Sequence, residues 1–329
     1  MEKQKALFQQ IKEKLPQNVS FVHEIAELLE ISYDSAYRRI RGEKDLSFNE
    51  LSKISQHFGI SIDTLFNVQS NNVVFKFHSL EPETFTIKNW LEVILKDMKG
   101  MNLSREKEII YAAKDPPVFH YFQYPEIAFF KIFFWEKTLF QFPEHEDKKL
   151  RFDDFDKDIW NLGQQIVSTS TKIPTIEIWN EDTFNILLRQ IEYYYVSGYF
   201  YQKDDINNLV DKLKKWIKHV QKQAELGFKF MVDQPAEGIE NSFKFYENEV
   251  VLNDNTIYVE LDNLRAVYLT VNVLCLLITR DPDFCDKVEY YLRGLLQKSN
   301  LISSTGAKQR NRYFNKLLYT IDQLENRIK

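Results

Sequence analysis

Residues 24–42, Glu24-Ile-Ala-Glu-Leu-Leu-Glu-Ile-Ser-Tyr-Asp-Ser-Ala-Tyr-Arg-Arg-Ile-Arg-Gly42, carry two apolar stripes at helical spacing, separated by a break too short to be a loop. Phe21, Ile25, Leu28 and Leu29 form the first stripe, and Ala26 is small enough to let another helix cross closely. Glu30-Ile31-Ser32 must then be a sharp turn, in which Ile31 plugs the core and the Ser32 hydroxyl caps a new helix. On that second helix Ala36 and Ile40 share one face, which leaves Tyr33, Asp34, Tyr37, Arg38 and Arg41 directed largely outward. Gly42 ends it as a left-handed cap.

The flanks extend the same pattern. Upstream, Ala6, Leu7, Ile11 and Leu15 recur at helical spacing, Pro16 stops that helix, and Ser20 can cap the next. Downstream, Ser47-Phe-Asn-Glu50 is a capping box for a helix whose inner face is Leu51, Ile54, Ser55 and Phe58. Gly59 closes it, and Ser61-Ile-Asp-Thr-Leu65-Phe66 opens a short fifth helix that can lid the core. Residues 1–67 are therefore expected to fold as one compact bundle of five helices.

Through "EIAELLEIS", "SAYRRIRGEK" and "LSFNELSKISQHFGISIDTLF", residues 4–67 resemble the helix-turn-helix domain of the Cro and phage-repressor family, a lambda-repressor-like DNA-binding bundle. The resemblance implies that 32–41 is a recognition helix in the major groove of double-stranded DNA. It places Tyr33, Asp34, Ser35, Tyr37 and Arg38 near base edges. Arg38 presents a fork that fits guanine O6 and N7, and Asp34 can accept from a cytosine amino group. Tyr33 and Tyr37 suit a thymine methyl or a phosphate. Ser20, Ser32, Arg39, Arg41 and Lys44 are expected at phosphates, where they position the helix without specifying sequence, and Arg39 also suits a base. The family has glycine where this chain has Glu30, and a left-handed residue other than glycine costs about 1 kcal/mol there.

Hydrophobic residues make up 44% of the 329, while Gly and Pro number nine each, so disordered and collagen-like classes are excluded and helix is favoured. The net charge of −5 excludes a nucleic-acid coat over the whole surface, so any DNA contact must be local and dimerisation is the natural remedy for weak monomer affinity. Cys275 and Cys285 are too few for a disulfide framework and read as buried thiols. Met1-Glu-Lys-Gln-Lys lacks a signal core, and Val267–Ile278 is too short for a bilayer span, so a cytoplasmic protein without membrane attachment is expected.

Residues 68–78 read as a linker, in which Val73–Phe77 can form a short strand, and 79–329 as a mostly helical domain for dimerisation and effector sensing. Helices are expected at 85–98, 104–113, 125–139, 160–168, 181–196, 204–226, 264–279, 283–296 and 307–328. A small β-hairpin is expected from 242–252 and 256–261 around Asn253-Asp-Asn255. The aromatic concentration from Phe119 to Phe142 reads as core rather than ligand pocket. The acidic stretch from Asp153 lacks the glycine and terminal glutamate of a calcium loop, so no metal and no cofactor is expected. Ser304, Gly306, Lys308 and Arg310 form a loop feeding a basic helix start, which reads as a plain solvated cap with an anion or effector site for a small molecule or peptide as the lesser alternative. Nucleophile–base pairs and cofactor motifs are missing from the sequence pattern, so no enzyme is expected. The overall expectation is a mainly α, homodimeric, sequence-specific transcription regulator. The competing one is a protein-interaction scaffold that uses the helix-turn-helix bundle for docking.

Overall fold

The computed structural model describes residues 2–15, 20–60, 62, 72–77, 85–250, 252, 254–262, 264–271 and 274–328. The chain divides into two compact units, Met1–Val74 and Phe75–Lys329. In the first, α1 (Glu2–Lys14), α2 (Phe21–Leu29), α3 (Tyr33–Ile40) and α4 (Phe48–Phe58) enclose Leu7, Phe8, Ile11, Ile25, Ala26, Leu29, Ala36 and Ile54. Ile31, Ile40 and Leu51 pack against that core from its margin. Apart from Ile62, the expected fifth helix at 61–66 lies outside the described residues, as do 68–71 and 78 of the expected linker.

The second unit corrects the mainly α expectation, because it is an α/β fold built on an eight-stranded mixed sheet. Its strands are β1 (Lys76–Phe77), β2 (Lys107–Ala113), β3 (Thr175–Trp179), β4 (Phe243–Glu247), β5 (Thr256–Leu261), β6 (Leu264–Thr270), β7 (Leu276–Thr279) and β8 (Asn300–Leu301). They lie in the order β1-β7-β6-β5-β2-β3-β4-β8. β2, β3 and β4 run parallel, and every other pairing is antiparallel. β1 falls within 73–77, where a short strand is expected inside the linker stretch, and pairs with β7, Lys76 opposite Ile278.

The helices of this unit are α5 (Ile87–Leu103), α6 (Val118–Tyr121), α7 (Pro125–Phe134), α8 (Lys157–Ser170), α9 (Glu181–Val196), α10 (Lys203–Leu226), α11 (Pro282–Gln297) and α12 (Ala307–Ile328). α7 widens into a π-helical turn at Trp135–Leu139. Alternation along the central strands assigns the two faces. Ile110, Ala112, Ile176 and Ile178 pack on one side with Cys285 and Leu292 of α11. Ala113, Trp179, Phe243 and Phe245 join the large core on the other, with residues of α5 to α10 and α12. Both faces are therefore covered, as parallel strands require.

Three segments were misread from sequence. The expected helix at 104–113 holds β2, and the one at 264–279 holds β6 and β7. Strands covered on both faces lose the two-residue alternation that marks a strand, and a short apolar run then looks like a buried helix. The alternation at 242–252 and 256–261 does mark strands, but they do not form a hairpin together. β4 pairs with β3 and β8, and β5 pairs with β2 and β6.

One polar cluster lies in the large core. Glu177, on β3 and 0% exposed, accepts from the Trp179 indole at 2.9 Å and bonds His120 Nε2 at 2.9 Å. Lys229, also buried, donates to Thr175 Oγ1 at 2.7 Å and lies 4.9 Å from the Phe119 ring centre. Burial pushes its amine down to about 8, against the pull of Glu177.

Candidate nucleic-acid interface

The turn before α3 is built as the spacing demands. Glu30 adopts the left-handed conformation, φ 56° and ψ 44°, and closes α2 by donating its N–H back to Ala26 and Glu27. Ser32 caps α3 by accepting from the Ser35 N–H at 3.3 Å, and its hydroxyl donates to Ser35 Oγ. Gly42 carries φ 77° after the helix, where the Glu43 N–H returns to the Arg38 carbonyl at 2.8 Å.

The expected contact residues separate into three groups. Tyr33, Asp34, Tyr37 and Arg38 are exposed, and the Arg38 guanidinium has no ion-pair partner among the described residues. Ser35 is half-buried and shares its hydroxyl with Ser32. Arg41 and Tyr37 form one unit, with the guanidinium 4.4 Å from the ring centre and donating to the phenol oxygen at 3.2 Å. Arg41 also pairs with Glu43 at 3.7 Å. Ser20 and Lys44 are exposed, and Ser20 starts α2 without spending its hydroxyl on the cap.

Arg39 is placed otherwise than expected. Only 6% exposed, it donates to Glu50 Oε1 at 2.6 Å and to the Ser35 carbonyl at 3.1 Å, so it braces α3 against α4. Burial pushes the Glu50 carboxyl up, but the Arg39 hydrogen bond and the Ser47 backbone and hydroxyl outweigh it and hold the group below its ordinary range. Glu50 also closes the capping box by accepting from the Ser47 N–H at 2.8 Å.

Gln4, unremarked in the sequence, fixes the end of α3 and the segment after it. Its amide donates to the Arg39 and Lys44 carbonyls at 2.7 and 2.9 Å and accepts from the Leu46 N–H at 3.1 Å. No local pattern could reveal it, because every partner is 35 or more residues away. Phe48 was likewise passed over, and at 79% exposure it leaves an aromatic ring in solvent at the start of α4.

In the candidate anion loop at 304–310 the Arg310 side chain turns inward. Arg310 is 6% exposed and donates to the Ile302 and Thr305 carbonyls at 2.9 and 3.0 Å. The Ser304 N–H donates to the Ala224 carbonyl, and a Cβ at Gly306 would lie 2.7 Å from the Leu301 carbonyl oxygen. Ser304 and Lys308 are exposed and Gly306 is half-buried, so of the two cations expected at this loop Lys308 faces solvent while Arg310 is spent on backbone carbonyls. Among the described residues no group of three or more His, Cys, Asp or Glu could hold a metal ion, and no helix is long and apolar enough to cross a membrane.

Residues 9–82 match the BetR domain, a helix-turn-helix-type DNA-binding domain associated with transcriptional regulators. No curated protein and no solved structure matches the chain.

Proposed function

We propose that this chain is a sequence-selective regulator of transcription, in which α3 enters the major groove and Phe75–Lys329 supplies dimerisation and the response to an effector. The DNA-binding character of the match at 9–82 supports the first half. The observation that carries it is the division of labour on α3, whose inner residues are spent on caps and the Arg39–Glu50 pair while Arg38 stands exposed, with no ion-pair partner among the described residues, on the same helix as Tyr33 and Asp34. A guanidinium held on a braced helix with no acceptor among the described residues is suited to a bidentate guanine contact.

Tyr37 and Arg41 pre-order one another at the end of the helix, where they suit phosphate. Dimerisation would place two such helices about 34 Å apart on one face of the duplex, so a half-site repeat of one helical turn is expected. The proposed role is non-catalytic. Footprinting on sheared genomic DNA at low salt tests the reading: a protected, roughly palindromic site supports it, and uniform weak binding without a preferred site removes it.

A second reading, a protein-docking bundle, is favoured by the exposed Phe48. It requires Phe48→Ala to abolish capture of a protein partner that Arg38→Ala leaves intact.

A further inference from the structure

A cavity of about 160 Å³ opens between α5 and one face of the sheet, wholly within Phe75–Lys329. Ile109 of β2 and Ile257 and Val259 of β5 line it from the sheet. Aromatic rings from Trp90, Tyr111, Phe119, Tyr121, Trp135 and Tyr268 line much of the rest. An apolar protein cavity of about 150 Å³ accommodates a benzene ring, which sets the size of the ligand body.

Among the described residues, the formal charges on this lining are two carboxylates, Asp97 and Asp115. Asp115 is already matched: Lys131 Nζ lies 3.1 Å away and the Tyr121 hydroxyl donates to it at 2.6 Å. The same ammonium stands 4.8 Å from the Tyr121 ring centre and 5.4 Å from that of Trp135. One part of the site thus holds an internal ammonium between a carboxylate and two aromatic faces.

The second carboxylate on the lining is Asp97. Asp97 is exposed on α5 and has no ion-pair partner among the described residues. It lies near Tyr268, whose phenol is pushed up first by burial and next by Asp97, with Arg280 opposing. Trp90, on the same stripe of α5, is fixed by donating its indole N–H to the Leu274 carbonyl at 3.2 Å. The Tyr111 and Tyr268 hydroxyls have no hydrogen-bond partner among the described residues.

We propose that this cavity binds a small primary amine with a compact apolar body about the size of a benzene ring, its ammonium held by Asp97 beside the aromatic wall. Anions find no unmatched cation among the described residues of the lining, and a neutral ligand leaves Asp97 unused. The proposal stands on Phe75–Lys329 alone and does not depend on the DNA-binding reading.

Calorimetric titration of the full chain with benzylamine, benzyl alcohol and benzoate tests it, with the fluorescence of the wall tryptophans as a second readout. Benzylamine is expected to bind one site, roughly ten-fold more tightly than benzyl alcohol, with benzoate weakest. Asp97→Asn, at an exposed position that folding tolerates, should reduce benzylamine to the alcohol's affinity. Ile257→Trp should fill the cavity and abolish binding of both, and if that variant does not fold, Asp97→Asn decides alone. Equal affinity for amine and alcohol, tighter benzoate binding, no saturable binding, or an amine affinity unchanged by Asp97→Asn would overturn the proposal.

Discussion

Replacing Arg39 with alanine distinguishes a brace from a DNA contact. The substitution removes a charged hydrogen bond to Glu50 and a second one to the Ser35 carbonyl. Bonds to charged groups contribute about 1.5–3 kcal/mol and neutral ones about 1 kcal/mol. Stranding a fully buried partner costs about 3–5 kcal/mol, but the Glu50 side chain keeps 18% of its surface in water and its bond from Ser47, so the upper end does not apply. A loss of about 3 kcal/mol is therefore expected for the Met1–Val74 unit.

Trp90, Trp135, Trp160, Trp179 and Trp216 all lie in Phe75–Lys329, so indole fluorescence in a urea titration reports that unit alone, while far-ultraviolet circular dichroism reports both. At a slope of about 1–3 kcal/mol per molar, the helical transition of the bundle should move down by at least about 1 M urea with the fluorescence transition unmoved. DNA affinity measured well below the transition should stay near that of the parent. Acid should expose the same linkage. The depressed Glu50 carboxyl contributes stability above the ordinary carboxylate range, lost as pH falls through its folded value. In Arg39→Ala only the Ser47 bonds still oppose burial, so the carboxyl sits higher and the loss should begin at higher pH. An unshifted transition combined with weakened DNA binding would refute the brace and return Arg39 to the phosphates.

Arg38→Ala should cost about 1–3 kcal/mol on the preferred site and flatten the ranking of sequences in a competition binding assay. Arg41→Ala should weaken all sequences alike and lower the salt slope of log K by about one, read from titrations over a salt series. Gly163 sits inside α8, where a Cβ would lie 1.9 Å from Phe122 Cδ1, so Gly163→Ala should destabilise by about 1–3 kcal/mol in urea unfolding, where an open helical site would gain. Lys229 has a folded value near 8 and an ordinary one of 10.5, so the unfolded chain binds more protons between them. Stability should rise with pH across that window, and a Lys229→Met protein should lack that component of the slope.

The bundle was legible because its signals are local. Ser32, Gly42 and the Ser47–Glu50 box act within a few residues, and Ala36 and Ile40 mark one face. The sheet was not legible for the opposite reason. Its central strands are covered on both faces, and β3, Thr-Ile-Glu-Ile-Trp, hides a buried Glu177 whose partner His120 lies 57 residues away. Within the candidate interface the spacing separated inward from outward positions except at Arg39, which needs Glu50 on another helix to make burial tolerable. The cavity shares that difficulty. Trp90, Tyr111, Trp135 and Tyr268 read individually as core aromatics, and only the topology brings them around one space.

The pairing of β1 with β7 also orders events on the ribosome. The bundle closes through contacts among its first sixty or so residues, so it can complete while most of the chain is still unmade. β2 must wait for Thr175–Trp179 on one side and Thr256–Leu261 on the other, and β1 waits for Leu277 and Ile278. At about 5–20 residues per second, that last wait is on the order of 10–40 s. The nascent chain therefore carries a finished N-terminal head while strand edges behind it remain open, and slower translation lengthens the interval in which those edges can pair with another chain.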